Sequence, residues 1–134
     1  MMKKNRWLVK TMLSLSLASF CSISLAKTAK NDFSDGQTGV ASYFNDRYQG
    51  QRTASGERYN KNDLTAAHAT LPFGSIIRVV NLQNNHSVDV RINSRAHHSN
   101  RRLLDLSKQA ARKLGFLQAG IAKVKITILR FGEA

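Results

Sequence analysis

The chain has 134 residues, 42% of them hydrophobic, and carries 21 Lys and Arg against 8 Asp and Glu, a formal net charge of +13. That length supplies one domain and excludes a large multidomain architecture. A single cysteine excludes an internal disulfide framework, so the fold rests on its apolar core, which about 100 residues can build.

The N-terminus reads MMKKNRWLVKTMLSLSLASFCSISLA. Lys3, Lys4, Arg6 and Lys10 form a basic region, Thr11 to Ala26 is a run of apolar and small residues, and Ser24-Leu25-Ala26 has the form of a cleavage site. This order predicts a secretory signal peptide over residues 1–26, with a mature chain starting at Lys27; the apolar run is too short for a membrane span. Cys21 follows Phe20, where a lipoprotein signal requires a small residue, so no lipid anchor is expected there. Removing residues 1–26 takes away four basic residues and no acid, which leaves 17 against 8, a net charge of +9. Export to the periplasm or envelope of so basic a domain points to an anionic partner: wall polymer, phospholipid surface or nucleic acid.

Residues 27–37, KTAKNDFSDGQ, are polar without an apolar period and read as a disordered lead to one domain over 38–132. Gly39 to Phe44 has strand character. Pro72-Phe73-Gly74 marks a tight turn into Ile76 to Leu82, IIRVVNL, whose near-continuous apolar run suits a strand buried on both faces. Ser87 to Asn93, SVDVRIN, alternates, with Val88, Val90 and Ile92 facing in and Asp89, Arg91 and Asn93 facing out. Asn84-Asn85 between them forms a hairpin turn, because Asn tolerates the left-handed conformation. Asp105 or Ser107 caps a helix in which Leu106, Ala110, Ala111 and Leu114 share a face and which Gly115 ends. Ile121 to Leu129, IAKVKITIL, alternates again and closes the sheet. Short strands with one helix predict a mainly β barrel or sandwich, and periodicity does not choose between the two.

Three clusters can carry chemistry: Thr53-Ala-Ser-Gly-Glu57, Leu64-Thr-Ala-Ala-His-Ala-Thr-Leu-Pro-Phe-Gly74, and Arg91-Ile-Asn-Ser-Arg-Ala-His-His-Ser-Asn100 with Arg101 and Arg102 behind it. From the residues alone, Glu57 is an ordinary loop acid, and His68, among alanines, is either a packed histidine or a functional one. Tyr43 is core or a sugar-stacking ring, and Asp105 is a helix cap. Arg91, Arg95, Arg101 and Arg102 clamp carboxylates or phosphates, or form a solvated rim. Adjacent His97 and His98 diverge in direction and no His-x-x-x-His pair or further cysteine completes a ligand set, so no metal and no cofactor is expected. No zinc knuckle, helix-turn-helix or RNP-like aromatic pair marks a specific nucleic-acid binder.

The order G-x-A-S-Y-F, T-A-S-G-E, L-T-A-A-H-x-T-L-P-F-G, V-x-V-R-I-N-x-R and L-D-L-S-x-x-A-A-x-x-L-G, from about Gly39 to Leu129, resembles the rare lipoprotein A (RlpA) family. The resemblance implies a six-stranded double-psi β-barrel with one or two short helices. It further implies an exported protein that acts on peptidoglycan as an endolytic lytic transglycosylase on glycan strands stripped of stem peptides; a monomer is expected. Such an enzyme cleaves between N-acetylmuramic acid and N-acetylglucosamine without water and leaves a 1,6-anhydro end. The family's glutamate and histidine fall on Glu57 and His68, its aspartate position is Ser94, and Tyr43, Arg91, Asn93 and Arg95 become substrate-binding candidates. Many family members add a SPOR domain after the barrel; none is expected here, where Ala134 closes the sequence. Two readings stay open: Glu57 works as acid and base with His68 in support, or catalysis is lost with the aspartate and the groove binds glycan. A basic module for polyanions is a third.

Overall fold

The computed structural model describes residues 36–96 and 102–133. The segment read as signal peptide, Cys21, the lead up to Asp35, and the loop residues His97, His98 and Arg101 lie outside the described residues. Six strands appear in chain order: β1 (Gln37–Tyr43), β2 (Thr65–Ala67), β3 (Ile76–Asn81), β4 (Ser87–Ser94), β5 (Leu104–Leu106) and β6 (Ala122–Arg130). One helix, α1 (Lys108–Leu114), and a short 3-10 turn, Asp46–Tyr48, complete the described elements.

The strands close into a barrel in the order β1-β5-β2-β4-β3-β6. The β1–β5 and β2–β4 pairs are parallel and the other neighbours antiparallel. Closure gives every strand two neighbours, so no hydrogen-bonding edge is left open, and the choice between barrel and sandwich falls to the barrel. The alternating residues of the long strands fill the interior: Val88, Val90 and Ile92 from β4, Val124 and Ile126 from β6, Ile77 and Val79 from β3. Leu104 and Leu106 join them from β5, and α1 lays Ala110, Ala111 and Leu114 on the same core.

Several expectations need correction. The IIRVVNL run alternates after all: Ile77 and Val79 are buried, while Arg78 is exposed and pairs with Asp89 across the hairpin at 2.8 Å. The last residue of β3, Asn81, is buried because its amide donates to the Leu114 carbonyl at 2.9 Å. Leu106 lies in β5 and not on the helix. Asp105 is no cap; it accepts from Ser42 Oγ at 2.6 Å and pairs with Arg102 at 3.1 Å. β2 and β5 are three residues each, too short to show a period, and neither stood out as a strand. Asn93, expected to face solvent, is only 3% exposed, for a reason given below.

The turns behave as their residues dictate. Asn85 takes φ 61°, in the left-handed region, and donates its N–H to Asn81 O at 2.7 Å. Gly115 ends α1 at φ 78°, where a Cβ would also stand 2.9 Å from Asn84 Nδ2.

Ser107 ties the helix to the barrel. Its buried hydroxyl donates to Asp63 O at 2.6 Å and accepts from Ala110 N at 3.3 Å and Thr65 N at 3.4 Å. Ser107→Ala is expected to cost about 1–2 kcal/mol in a denaturant titration. An unchanged midpoint would show that the hydroxyl is not the joint between α1 and β2.

Candidate active site

The TASGE segment is the tip of a small hairpin. Tyr59 N donates to Gln51 O and Thr53 N to Glu57 O, each at 2.7 Å. Gly56 N closes the turn onto Thr53 O at 2.9 Å, with Gly56 at φ 93°, a conformation that favours glycine. The tip is fastened to the end of β4 by Ser55 N to Asn93 O at 3.2 Å and Ala54 N to Ser94 Oγ at 3.5 Å. This cover buries Asn93. On the other side of β4 the parallel pairing slips: Ala66 faces Ile92 but Ala67 faces Ser94, so Asn93 is an extra residue in the ladder.

Arg91 and Asn93, two apart on β4, both reach Glu57. The guanidinium grips the carboxylate through two hydrogen bonds, 2.5 Å to Oε1 and 2.9 Å to Oε2, and Asn93 Nδ2 donates to Oε2 at 3.2 Å. The Arg91 hydrogen bond holds the Glu57 carboxyl below the usual glutamate range; partial burial opposes this and Asn93 assists it. Glu57 is therefore a fixed carboxylate, suited to accept a proton or face a cationic centre. The Arg91 grip favours the ionised form and so works against a role as acid.

His68 is buried just past β2. Its Nδ1 accepts from the backbone N–H of Thr70 and of Leu71, both at 3.1 Å, so the proton of the neutral ring sits on Nε2. Its backbone extends the strand pairing, with His68 N donating to Ser94 O at 3.2 Å and Ala96 N donating to His68 O at 3.4 Å. Arg95 lies over the Phe73 ring, 3.9 Å from its centroid, and donates to His68 O at 3.4 Å. Both residues thus hold the loops around Ser94.

An open pocket of about 180 Å³ lies beside Ser94, between the hairpin residues Arg52, Thr53 and Ala54 and an aromatic wall of Phe44, Tyr48 and Tyr59. Phe44 meets Tyr48 edge-on at 5.8 Å and Tyr59 tilted at 5.1 Å. Tyr59 is buried and its hydroxyl accepts from Lys108 N at 3.1 Å. Sequence reasoning missed this wall. The signal was Phe44 and Tyr48, four apart on an irregular segment, with Tyr59 just past TASGE.

The structure therefore brings Glu57, Arg91 and Asn93 together, with Ser94 joined through Ala54 and with His68 and Arg95 behind it. Tyr43 is engaged in packing instead: its hydroxyl donates to Leu117 O at 2.7 Å and its ring meets Phe116 edge-on at 5.9 Å. Among the described residues no group of three or more His, Cys, Asp or Glu could hold a metal ion.

A family model described as "Lytic transglycolase" matches residues 36–126. An "Endolytic peptidoglycan transglycosylase RlpA" of Neisseria meningitidis serogroup A is 49% identical over 108 residues, 80% of this chain and 45% of that protein. Its namesake in Campylobacter jejuni is 44% identical over 96 residues, 72% of this chain and 35% of that protein. The chain thus spans less than half the length of either relative. Among solved structures, the apo expansin of Clavibacter michiganensis superposes with a TM-score of 0.57 at 21% identity, over 74% of this chain and 52% of that one, a likeness of fold.

The Glu57–Arg91 pair has a testable pH signature. A carboxyl lowered by folding contributes stability that is complete above the unfolded glutamate value of about 4.3 and is lost as pH falls through the folded value. Both side chains are about two-fifths exposed, 44% and 39%, so the contribution is small, about 1 kcal/mol or less. Glu57→Gln is expected to flatten the acid limb of the stability–pH curve. Parallel limbs for the two proteins would contradict the pairing.

Proposed function

The chain belongs to the lytic transglycolase family, and on that premise we propose that it is an exported barrel acting on peptidoglycan glycan strands. In this reading it works in the periplasm or cell envelope as a monomer, and its basic charge adds attraction to anionic envelope surfaces. It cleaves between N-acetylmuramic acid and N-acetylglucosamine and leaves 1,6-anhydro ends. The observation that carries the reading is a single carboxylate, Glu57, pinned by Arg91 and Asn93 on the same hairpin that walls an aromatic pocket. Aromatic faces suit the apolar faces of sugar rings, and a pinned carboxylate suits a centre that develops positive charge.

The chemistry needs a proton on the departing glycosidic oxygen and a base for the muramic 6-hydroxyl, which attacks the anomeric carbon. One carboxyl group can serve both steps in turn, because the proton it gives to the leaving oxygen is replaced by the proton it takes from the hydroxyl. Glu57 must then start protonated, and Arg91 works against that. Turnover should be slow and rise as pH falls towards the lowered value of Glu57. Ser94, whose hydroxyl takes an N–H from Ala54, offers no acid near neutral pH.

That same pair of observations, Glu57 held as an ion and Ser94 in the aspartate position, favours a second reading in which the pocket binds glycan without cleaving it. The test is mass spectrometry of glycan strands stripped of stem peptides after incubation with the chain from Lys27. The enzymatic reading expects new 1,6-anhydro ends, with Glu57→Gln lowering the rate by about 100-fold or more and Ser94→Asp raising it. Products from Ser94→Asp alone would establish the binding reading. Products from neither protein would contradict the assignment of Glu57 as the acid.

A further inference from the structure

We propose that the outer face of β3 and β6 is a docking surface for a bilayer containing anionic lipid, with Leu82 and Ile121 entering the headgroup layer and Lys123 and Lys125 meeting its phosphates. Apolar residues scattered singly on a surface need no explanation. Here the strand registers group them. Leu82 N donates to Lys123 O at 2.9 Å, and Val80 is paired with Lys125. On the other side of β6, β1 sets Val40 against Lys123. Going back along β6, exposed Lys125 and Lys123 are followed, past buried Ala122, by Ile121 at 58% exposure. Leu82, 45% exposed, comes after Val80 and buried Asn81 in the same alternation. The three strands make a strip about 13 Å long and 10 Å across, apolar on β3 and basic on β6.

An ordinary solvated face mixes both signs of charge. This one does not. Residues 106–132 hold six Lys and Arg and no Asp or Glu, and residues 79–88 hold no acid either. The acid one step further along the register, Asp89, lies opposite Arg78 and is paired with it. Among the described residues the four ion pairs use Arg78, Arg91, Arg102 and Lys108, so Lys123 and Lys125 have no acid partner there.

Charge complementarity and the aliphatic pair together select the occupant. A soluble polyanion would use the lysines and have no use for Leu82 and Ile121. A second copy of the same face would set lysine against lysine. A bilayer with anionic lipid uses both: aliphatic side chains reach the acyl boundary while ammonium groups stay at the depth of the phosphates. Such a surface is within reach on the reading above, which puts the chain in the periplasm or envelope. In the barrel order β6 lies opposite β2 and β3 opposite β5. A barrel resting on this face therefore turns β2, whose Ala67 pairs with Ser94, away from the lipid.

The experiment is co-sedimentation of the chain from Lys27, free of the apolar run that would itself bind lipid, with vesicles. One set is one-third phosphatidylglycerol in phosphatidylcholine and the other is phosphatidylcholine alone, in about 0.1 M salt. The wild-type protein should bind the anionic vesicles at least about tenfold more tightly. K123Q/K125Q should weaken that binding by about 30-fold and L82S/I121S by about tenfold, with melting temperatures kept because all four side chains are exposed. R58Q/K61Q, which removes the same charge from outside the strip, should weaken it by less than about threefold. An equal loss in R58Q/K61Q would reduce the effect to net charge and overturn the proposal. Full binding by L82S/I121S would overturn lipid as the occupant, and a dimer that L82S/I121S dissociates would assign the face to a second copy. Absence of 1,6-anhydro ends with vesicle binding intact would sink the enzymatic reading and spare the docking surface. Cleavage of soluble strands with no vesicle binding would do the reverse.

Discussion

One extra residue in the β2–β4 ladder, Asn93, sets the geometry of the site. Up to Ile92 the fourth strand keeps strict alternation and its apolar residues belong to the barrel interior. The slip between Ala66 and Ala67 then lets β4 run one residue ahead of its parallel neighbour. Past it, Ser94 pairs with Ala67, presents its carbonyl to His68 N, and turns its hydroxyl to Ala54. The Asn93 carbonyl is left for Ser55, and its amide for Glu57. A bulge thus supplies the attachment points that an ordinary ladder would have consumed, and the TASGE hairpin is held by them.

The electrostatics of the site follow from this attachment. Surface ion pairs contribute little to stability, so the Arg91–Glu57 grip matters for orientation more than for holding the fold. It orients a carboxylate and favours its ionised state, on the hairpin that walls a pocket with three aromatic rings. An ionised, oriented carboxylate serves a base or a charge-stabilising group well and a general acid poorly. With serine at the neighbouring position, the site carries more binding chemistry than proton-donating chemistry.

Long elements were legible because their periods are long enough to read. Val88, Val90 and Ile92 declare β4, Ala122, Val124 and Ile126 declare β6, and Asn84-Asn85 declares the turn between β3 and β4. β2 and β5 were not legible, since three residues carry no period and Thr65-Ala-Ala67 has little apolar bulk. Their strand state is imposed by neighbours, β4 and β5 around β2, β1 and β2 around β5. The same limit misassigned Leu106 to the helix and Asp105 to its cap. At the site, sequence motifs singled out Glu57, Arg91, Asn93 and Ser94, and the structure places them within one small constellation. Alternation put Asn93 on the outer face beside Arg91, but alternation knows nothing of a hairpin lying over that face. Tyr43 shows the opposite failure: a ring beside a motif that is spent on Phe116 and Leu117. The pocket's aromatic wall was missed because Phe44, Tyr48 and Tyr59 converge only through the fold.

The central claim is that glycan enters between the TASGE hairpin and this aromatic wall. Chemical-shift mapping of the chain from Lys27 with a glycan oligomer free of stem peptides tests it most directly. The account predicts the largest shifts at the backbone N–H of Ala54 and Ser94 and at the ring signals of Phe44, Tyr48 and Tyr59. Shifts confined to the outer faces of β3 and β6, with the pocket silent, would contradict it.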